Sequence, residues 1–210
     1  MTVSPREELP TLRGRQTQAA IDAAARVVIA RKGILAATIS DIAAEAGKST
    51  ASFYNYYDSK EAMVREWAVR FRDEARERSR AASEPRLTNW ERSYEAAAAH
   101  WNTYRNRLAE IISVSQLAMI SDDFAEYWAD ICSLPIGLIT QMVKQAQRHG
   151  FCSLEDDPYL VSVAMVSMLN QFCYTRLSGD AADTVDDDAC ITTLANIFYR
   201  TIYHKEAGLT

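Results

Sequence analysis

The stretch that decides the fold is residues 38–60, which read TISDIAAEAGKSTASFYNYYDSK. Two short segments with helical spacing of apolar residues, 38–45 and 50–56, lie on either side of Gly47. A helix-turn-helix has this form, because its two short helices are joined by a turn of a few residues that often contains glycine. The buried face is expected to be formed by Ile39, Ile42, Ala43, Ala46, Phe53 and Tyr57. The stretch therefore predicts a helix-turn-helix.

The opposite face of the second short helix carries polar and small side chains. These are Ser49, Thr50, Ala51, Ser52, Tyr54, Asn55 and Tyr56. Hydroxyls and an amide suit contacts with phosphates and base edges, and Ala51 is small enough to lie against a thymine methyl group. Lys60 and the N-terminus of its own helix can both meet phosphate. This face predicts DNA binding; the alternative is an ordinary helical hairpin with half-buried tyrosines.

The charge distribution fits that prediction, although the whole chain is acidic, with a formal net charge of −5. Residues 1–60 contain eight Lys or Arg and six Asp or Glu, whereas the other 150 contain fifteen and twenty-two. Basic character is thus concentrated in the N-terminal third, where contact with phosphate is expected.

Helical periodicity continues to the end of the chain, so the predicted fold class is all-α. We expect an arm over residues 1–14 and about nine helices. They are placed at 17–32, 38–45, 50–56, 60–82, from 88, 108–119, 122–149, 158–178 and 187–204, with a kink at Pro135. We divide the chain into a DNA-binding domain over 1–60 and a helical ligand-binding and dimerisation domain over 61–210.

Several function classes are disfavoured by the sequence. No apolar run approaches the roughly 20 residues of a membrane span, and residues 1–18 lack the apolar segment of a secretory signal, so we expect a cytoplasmic protein without a membrane partner. The four cysteines are expected to be reduced, and they and the histidines at 100, 149 and 204 are too dispersed to suggest a metal site. We expect the protein to have no enzymatic activity and to bind neither a cofactor nor a metal ion.

The N-terminal pattern resembles the DNA-binding signature of TetR-family regulators. It runs through Ile21, Ala24, Ala25, Gly33, Ala37, Thr38, Ile39, Ile42, Ala43, Ala46, Gly47 and the stretch SFYNYYDSKE at 52–61. Three positions depart from it: Ile29 and Tyr57 stand where the family usually has Phe, and Lys48 stands where it usually has Val. Lys48 adds a charge beside the turn, which bears on phosphate binding or operator choice.

The resemblance implies a role for each matching position. Thr38 should contact phosphate, and Tyr54, Tyr56 and Lys60 should hold the DNA backbone. Arg13 and Arg15 in the arm should add minor-groove or phosphate contacts. The major groove should be met by Ser49, Thr50, Ala51, Ser52 and Asn55. The family also implies a homodimer formed by the last two helices and a small-molecule pocket between the middle helices.

Aromatic residues in the middle helices provide material for such a pocket, since pockets are mostly apolar with a few polar groups. Parts of this region are similar to a mycobacterial repressor of the same family. Together these features predict a pocket lined by Trp90, Tyr94, Trp101, Trp128, Cys132, Leu138, Ile139, Asn170 and Phe198. The alternatives are that the aromatic residues are ordinary core, and that Asn170 is satisfied by nearby backbone or by the dimer partner.

The predicted function is that of a repressor that binds a palindromic operator and is released by an apolar or amphiphilic small molecule. The alternative is an architectural or corepressor-type DNA-binding dimer that has no small-molecule ligand.

Overall fold

The computed structural model describes residues 12–81, 87–178 and 184–204, without the side chains of 72–81. In these ranges the chain forms eight helices and no strand, so the predicted all-α class is confirmed. The helices are α1 Leu12–Ala36, α2 Ile39–Glu45, α3 Thr50–Tyr54, α4 Lys60–Ala81, α5 Asn89–Leu117, α6 Asp122–Arg148, α7 Pro158–Leu177 and α8 Asp187–Ile202.

The main departures from the predicted helix boundaries lie in α1 and α5; α1 also continues to Ala36 past a non-helical Gly33, where the prediction ended it at residue 32. Helix α1 begins at Leu12 rather than Thr17, so Arg13 and Arg15 lie on its first turn and not in an arm; residues 1–11 lie outside the described ranges. The two helices expected around 88–107 and 108–119 are one helix, α5, that bends at Arg107 (φ −132°, ψ 27°). This continuity explains why the described residues hold eight helices rather than about nine.

Side-chain caps fix the starts of α5 and α7, whereas Ser121 at the start of α6 makes no side-chain capping hydrogen bond. At the start of α5 the Thr88 hydroxyl accepts a hydrogen bond from the backbone of Glu91, whose carboxylate accepts one from the Thr88 N–H. At the start of α7 the Asp157 carboxylate caps two backbone N–H groups, and Pro158 occupies the first helical position, where its missing donor costs nothing. Pro135 lies inside α6, and the kink expected there stays a prediction.

Buried apolar residues form two cores that share α5. The N-terminal core joins α1, α2 and α3 to α4, through Met63 and Trp67, and to the second half of α5, through Val114 and Leu117. The C-terminal core joins the first half of α5 to α6, α7 and α8. Helix α5 therefore connects the two parts of the molecule physically. Among the described helices, none is both long and apolar enough to cross a lipid bilayer.

Candidate nucleic-acid interface

The turn between α2 and α3 is fixed by local backbone geometry. Gly47 adopts φ +62°, and the N–H groups of Gly47 and Lys48 donate to the carbonyls of Ala44 and Ala43 at 3.1 and 2.9 Å. This is the Schellman arrangement, in which a left-handed glycine ends a helix. The hydroxyl of Ser49 then accepts from the N–H of Ser52 and caps α3. The turn therefore sets the direction in which α3 leaves α2.

Helix α3 presents the predicted polar face to solvent. The side chains of Ser49, Thr50, Ala51, Tyr54 and Asn55 are exposed, and those of Ser52 and Tyr56 are half-buried. We call residues 49–52 and 54–56 the reading surface. Tyr54 is 56% exposed although it is aromatic, which leaves its ring and hydroxyl available to a partner. Lys48 is also exposed, and its ammonium makes no hydrogen bond or ion pair with the described part of the chain.

The buried side of the same helix is anchored in the N-terminal core. Phe53 and Tyr57 are 0% and 2% exposed, as expected for core residues. The Tyr57 hydroxyl donates to Asp22 Oδ1 at 2.7 Å and accepts from Gln18 Nε2 at 3.0 Å. Burial raises the pKa of Tyr57 to about 12, so the hydroxyl remains protonated. These contacts fix the orientation of α3 relative to α1.

Thr38 is exposed at the start of α2, but its hydroxyl is already used by the protein. It accepts from the N–H of Asp41 at 3.1 Å and donates to the Asp41 carboxylate, which also accepts from Lys32 Nζ at 2.6 Å. Hydrogen bonds from Lys32 and Thr38 hold the pKa of Asp41 well below its usual range. The predicted phosphate contact of Thr38 would therefore be made by a residue whose position is already fixed.

Lys60 is half-buried, and its ammonium lies against backbone. It donates to the carbonyls of Ile34 and Ala37 at 2.7 and 2.9 Å and to that of Leu35 at 3.4 Å. Lys60 thus satisfies the carbonyls that end α1 and ties them to the start of α4. It also lines a surface cavity of about 570 Å³ together with Thr38, Tyr54 and Ser59. Its predicted phosphate contact stays a prediction.

The predicted pocket residues fall into three groups. Trp101, Ile139 and Phe198 are buried in the C-terminal core. Tyr94, Trp128 and Cys132 are half-buried and packed against that core, and Asn170 is half-buried beside Cys132. Trp90 and Leu138 are 41% and 57% exposed; the Trp90 ring stacks on Tyr94 at 5.4 Å, and its Nε1 lies 3.4 Å from Asn196 Oδ1. Trp90 and Leu138 therefore lie at the surface of the C-terminal part.

A polar cluster lies at the centre of this region. Asn170 Nδ2 donates to Cys132 Sγ at 3.7 Å, and His100, whose ring stacks on Tyr104 at 5.4 Å, interacts with Asn170. Burial lowers the pKa of His100 to about 4, which keeps the ring neutral. His100 Nε2 and Trp101 Nε1 are buried without a hydrogen-bond partner among the described residues. His100 was not among the predicted pocket residues, because nothing in its local sequence distinguishes it from a surface histidine.

Polar contacts join the DNA-binding part to α5. Arg26 of α1 donates to Glu110 Oε1 at 2.9 Å, and Arg107, at the bend of α5, lies 3.5 Å from the same oxygen. Glu110 is only 2% exposed, so the two arginines must offset the cost of burying its negative charge. Nearer the C-terminal end of α5, Gln116 Oε1 accepts from the N–H of Ile34 at 3.0 Å. Sequence patterns could not indicate the Arg26–Glu110 contact or the Ile34–Gln116 contact, since each joins residues more than 80 positions apart.

Helices α7 and α8 keep apolar side chains at the surface of the single chain. Tyr174 of α7 and Ile197 of α8 are 39% and 37% exposed, although their neighbours Cys173 and Phe198 are buried. The predicted dimer interface through these helices stays a prediction.

Comparison with known proteins agrees with this architecture. The family described as "Bacterial regulatory proteins, tetR family" matches residues 21–67. Over 147 residues the chain is 30% identical to the HTH-type transcriptional repressor KstR2 of Rhodococcus jostii, covering 62% of this chain and 70% of that protein.

Solved structures show the same fold. A tetR-family regulatory protein from Rhodococcus RHA1 superimposes with a TM-score of 0.69 and 20% identity, covering 89% of this chain and 97% of that one. The regulator FadR from Bacillus subtilis, solved in complex with stearoyl-CoA, superimposes with a TM-score of 0.57 and 18% identity, covering 89% and 97%.

Proposed function

Because the chain belongs to the TetR family of bacterial transcriptional regulators, we propose that it is a repressor that binds a palindromic operator as a homodimer and leaves it when an apolar or amphiphilic small molecule binds. The observation that carries this proposal is the reading surface. It presents hydroxyls, an amide and a small side chain to solvent on a helix whose opposite side is fixed in the core.

Charge and helix ends support the contact with DNA. The first 60 residues have more basic than acidic side chains in an otherwise acidic chain. Lys48 directly precedes Ser49, the N-cap of α3, and the cavity at Thr38 and Tyr54 includes the start of the 22-residue helix α4. A helix N-terminus favours an anion, so we assign phosphate contacts to Thr38, Lys48 and Tyr54.

We assign the major-groove contacts to Ser49, Thr50, Ala51, Ser52 and Asn55. Tyr56 is proposed to hold the DNA backbone. Lys60 is proposed to act mainly by positioning, because its ammonium already lies against three carbonyls. One five-residue helix supplies few base contacts, so a second copy related by a two-fold axis is required to read successive grooves. The partly exposed Tyr174 and Ile197 support α7 and α8 as the dimer surface.

The polar cluster supports a ligand site inside the C-terminal core. Buried polar atoms in proteins usually have partners, so the orphaned nitrogens of His100 and Trp101 favour a ligand that carries polar atoms between apolar parts. Asn170 and Cys132 would meet the same polar group. An apolar or amphiphilic effector fits this mixture, and stearoyl-CoA bound by FadR of Bacillus subtilis is a molecule of that kind.

Helix α5 provides a route from this site to DNA. His100 and Trp101 lie before its bend at Arg107, whereas Glu110 and Gln116 lie after it and contact α1. A ligand that opens the first half of α5 would move these contacts and change the separation of the two reading surfaces. The ligand can weaken DNA binding only by the factor by which its own affinity is higher for the conformation that does not bind DNA.

Fluorescence anisotropy with the DNA that flanks its own gene and with a scrambled duplex, at one salt concentration, tests the DNA-binding part. We expect the flanking DNA to bind at least about 10³-fold more tightly. Asn55→Ala should lose about 10-fold or more of that preference, since a good base contact contributes about 1–3 kcal/mol. Asn102→Ala, at an exposed polar position on α5, is the matched control. Equal affinity for both duplexes would contradict the proposal.

The effector is tested separately, with stearoyl-CoA and shorter acyl-CoA compounds added to the protein–DNA complex. We expect release of DNA and a higher melting temperature of the protein alone, both diminished in Asn170→Leu. Sequence-selective binding that no lipophilic compound reverses would favour the ligand-independent corepressor-type dimer instead.

A further inference from the structure

Three potential metal ligands that are far apart in the sequence meet at the end of the C-terminal core. Cys152 and Asp156 lie in the connection between α6 and α7, and His204 follows α8. One ligand atom from each lies within 4.8 Å of the others. The sequence alone did not predict this site, because no two of the three form a recognised ligand spacing. From this meeting of thiol, carboxylate and imidazole, we propose that the chain binds one zinc ion at Cys152, Asp156 and His204.

The chemistry of the three groups suits zinc. Thiolate sulfur, imidazole nitrogen and carboxylate oxygen are the usual protein ligands of Zn²⁺, and softer metal ions or Mg²⁺ and Ca²⁺ prefer more uniform sets. A thiolate and a carboxylate balance the two positive charges of the ion. With three protein ligands, the fourth tetrahedral position is open to water.

One nitrogen of the imidazole already has a backbone partner. His204 Nδ1 lies 3.0 Å from the carbonyl oxygen of Thr201, and a carbonyl can only accept a hydrogen bond. Nδ1 therefore carries the proton of the neutral ring, and Nε2 holds the lone pair that a metal requires. Metal-binding histidines usually donate their other ring nitrogen to a backbone carbonyl or a carboxylate in this way.

The two segments that carry the ligands are held together without metal. The rings of Phe151 and Tyr203, each adjacent to a proposed ligand, pack edge to face at 5.9 Å. Gln147 Nε2 donates to the backbone carbonyls of Ser153 and Asp156 at 2.7 and 2.8 Å, which fixes the curve of the connection. Ligand atoms around tetrahedral zinc lie about 3.3–3.8 Å apart, so the ligand atoms need to close by at most about 1.5 Å. That closure falls on the exposed side chains of Asp156 and His204.

Zinc titration of the chelator-treated full chain tests the proposal, with a chromophoric chelator as competitor. We expect one zinc ion per chain and a rise of about 5–10 °C in Tm at a zinc concentration about 100 times the Kd. Removing one ligand should weaken binding about 100-fold or more, since losing even a hydrogen-bond partner of a ligand costs about 10–100-fold. Cobalt in place of zinc should give a thiolate-to-metal absorption band.

The variants Cys152→Ser, Asp156→Asn and His204→Gln probe the ligands, with Cys190→Ser and His149→Gln as controls at a buried cysteine and at an exposed histidine before the same connection. Cys152 is buried, so its variant could fail to fold. Asp156 and His204 are exposed, so the variants Asp156→Asn and His204→Gln provide the decisive test of zinc binding. We expect these two to keep the metal-free Tm and to lose the zinc-dependent rise. Zinc affinity unchanged in His204→Gln, or a chain that takes up no zinc, would overturn the proposal.

Discussion

Substitution of Gly33 by alanine should destabilise the protein far more than the same change at Gly47. Gly33 has φ +77° and ψ 162°, a backbone region that residues with a Cβ rarely enter, whereas Gly47 has φ +62° as the cap of α2. A Cβ at Gly33 would lie 2.7 Å from Gln116 Oε1, whereas one at Gly47 would meet nothing within 4 Å. The two glycines therefore share a strained backbone and differ in steric surroundings.

The magnitudes can be worked from these contacts. Backbone strain at Gly33 contributes about 1–3 kcal/mol. Displacing the Gln116 amide removes the acceptor of the Ile34 N–H, which contributes about 1–3 kcal/mol more. We expect Gly33→Ala to lower the free energy of unfolding by about 2–6 kcal/mol. Gly47→Ala should lower it by about 1–2 kcal/mol, because only the backbone term applies.

Urea unfolding followed by tryptophan fluorescence, at one protein concentration, measures both variants. The double variant Gly33→Ala with Gln116→Ala should lose less than the sum of the two single changes, because the clash and the broken hydrogen bond are the same event. Equal losses for Gly33→Ala and Gly47→Ala, or strict additivity in the double variant, would refute the reasoning.

Four further outcomes are expected. Lys48→Ala should weaken DNA binding uniformly across sequences and reduce the slope of log affinity against log salt by about 1 in anisotropy titrations; an unchanged slope would exclude the phosphate contact. The pKa of His100, about 4, lies below the ordinary value for histidine, so the unfolded chain takes up a proton that the fold does not, and stability falls as pH falls from about 6.5 to 4. Urea midpoints at pH 7 and 5 should therefore differ less in His100→Gln than in the parent chain, and an equal difference would show that this residue does not titrate as stated. Glu110→Gln should lower the urea-derived free energy of unfolding by about 1–3 kcal/mol, less than a fully buried pair would, because Arg26 is 38% exposed; no change would mean that the contact with α5 is energetically neutral. Ile197→Glu should give a folded monomer in sedimentation velocity, since the charges would meet across the two-fold axis; a stable dimer would place the interface elsewhere.

Local features of the fold could be predicted from the sequence because their causes are local. The turn at Gly47 forms as predicted, and the caps at Thr38, Thr88 and Asp157 likewise depend only on a few neighbouring residues. The division of α3 into a buried and an exposed face follows from helical periodicity alone. The helix boundary expected at residue 108 coincides with the bend at Arg107, but the chain continues there as one helix, and neither proline nor glycine marks the bend.

Features that depend on distant residues were not predictable in this way. The Lys60 ammonium donates hydrogen bonds to the carbonyls at the end of α1. Predicting these bonds would require the position of the end of α1 relative to the start of α4. The burial of His100 Nε2 and the contact of Glu110 with Arg26 arise only once α5 packs into both cores. Both Leu138 and Ile139 were predicted to line the pocket, but Leu138 is exposed and Ile139 is buried. Their spacing in the sequence could not show which of the two faces the core.

Selection of bound duplexes from a random-sequence DNA library with the full-length protein tests the central claim most directly. If the reading surface faces DNA in a two-fold dimer, the selected sequences will converge on an inverted repeat, with half-sites centred about 34 Å apart or at a multiple of that distance. The Asn55→Ala variant will then lose or change the preference at symmetric positions in both halves. Convergence on a sequence without two-fold symmetry, no convergence at all, or an unchanged motif in Asn55→Ala would contradict the account.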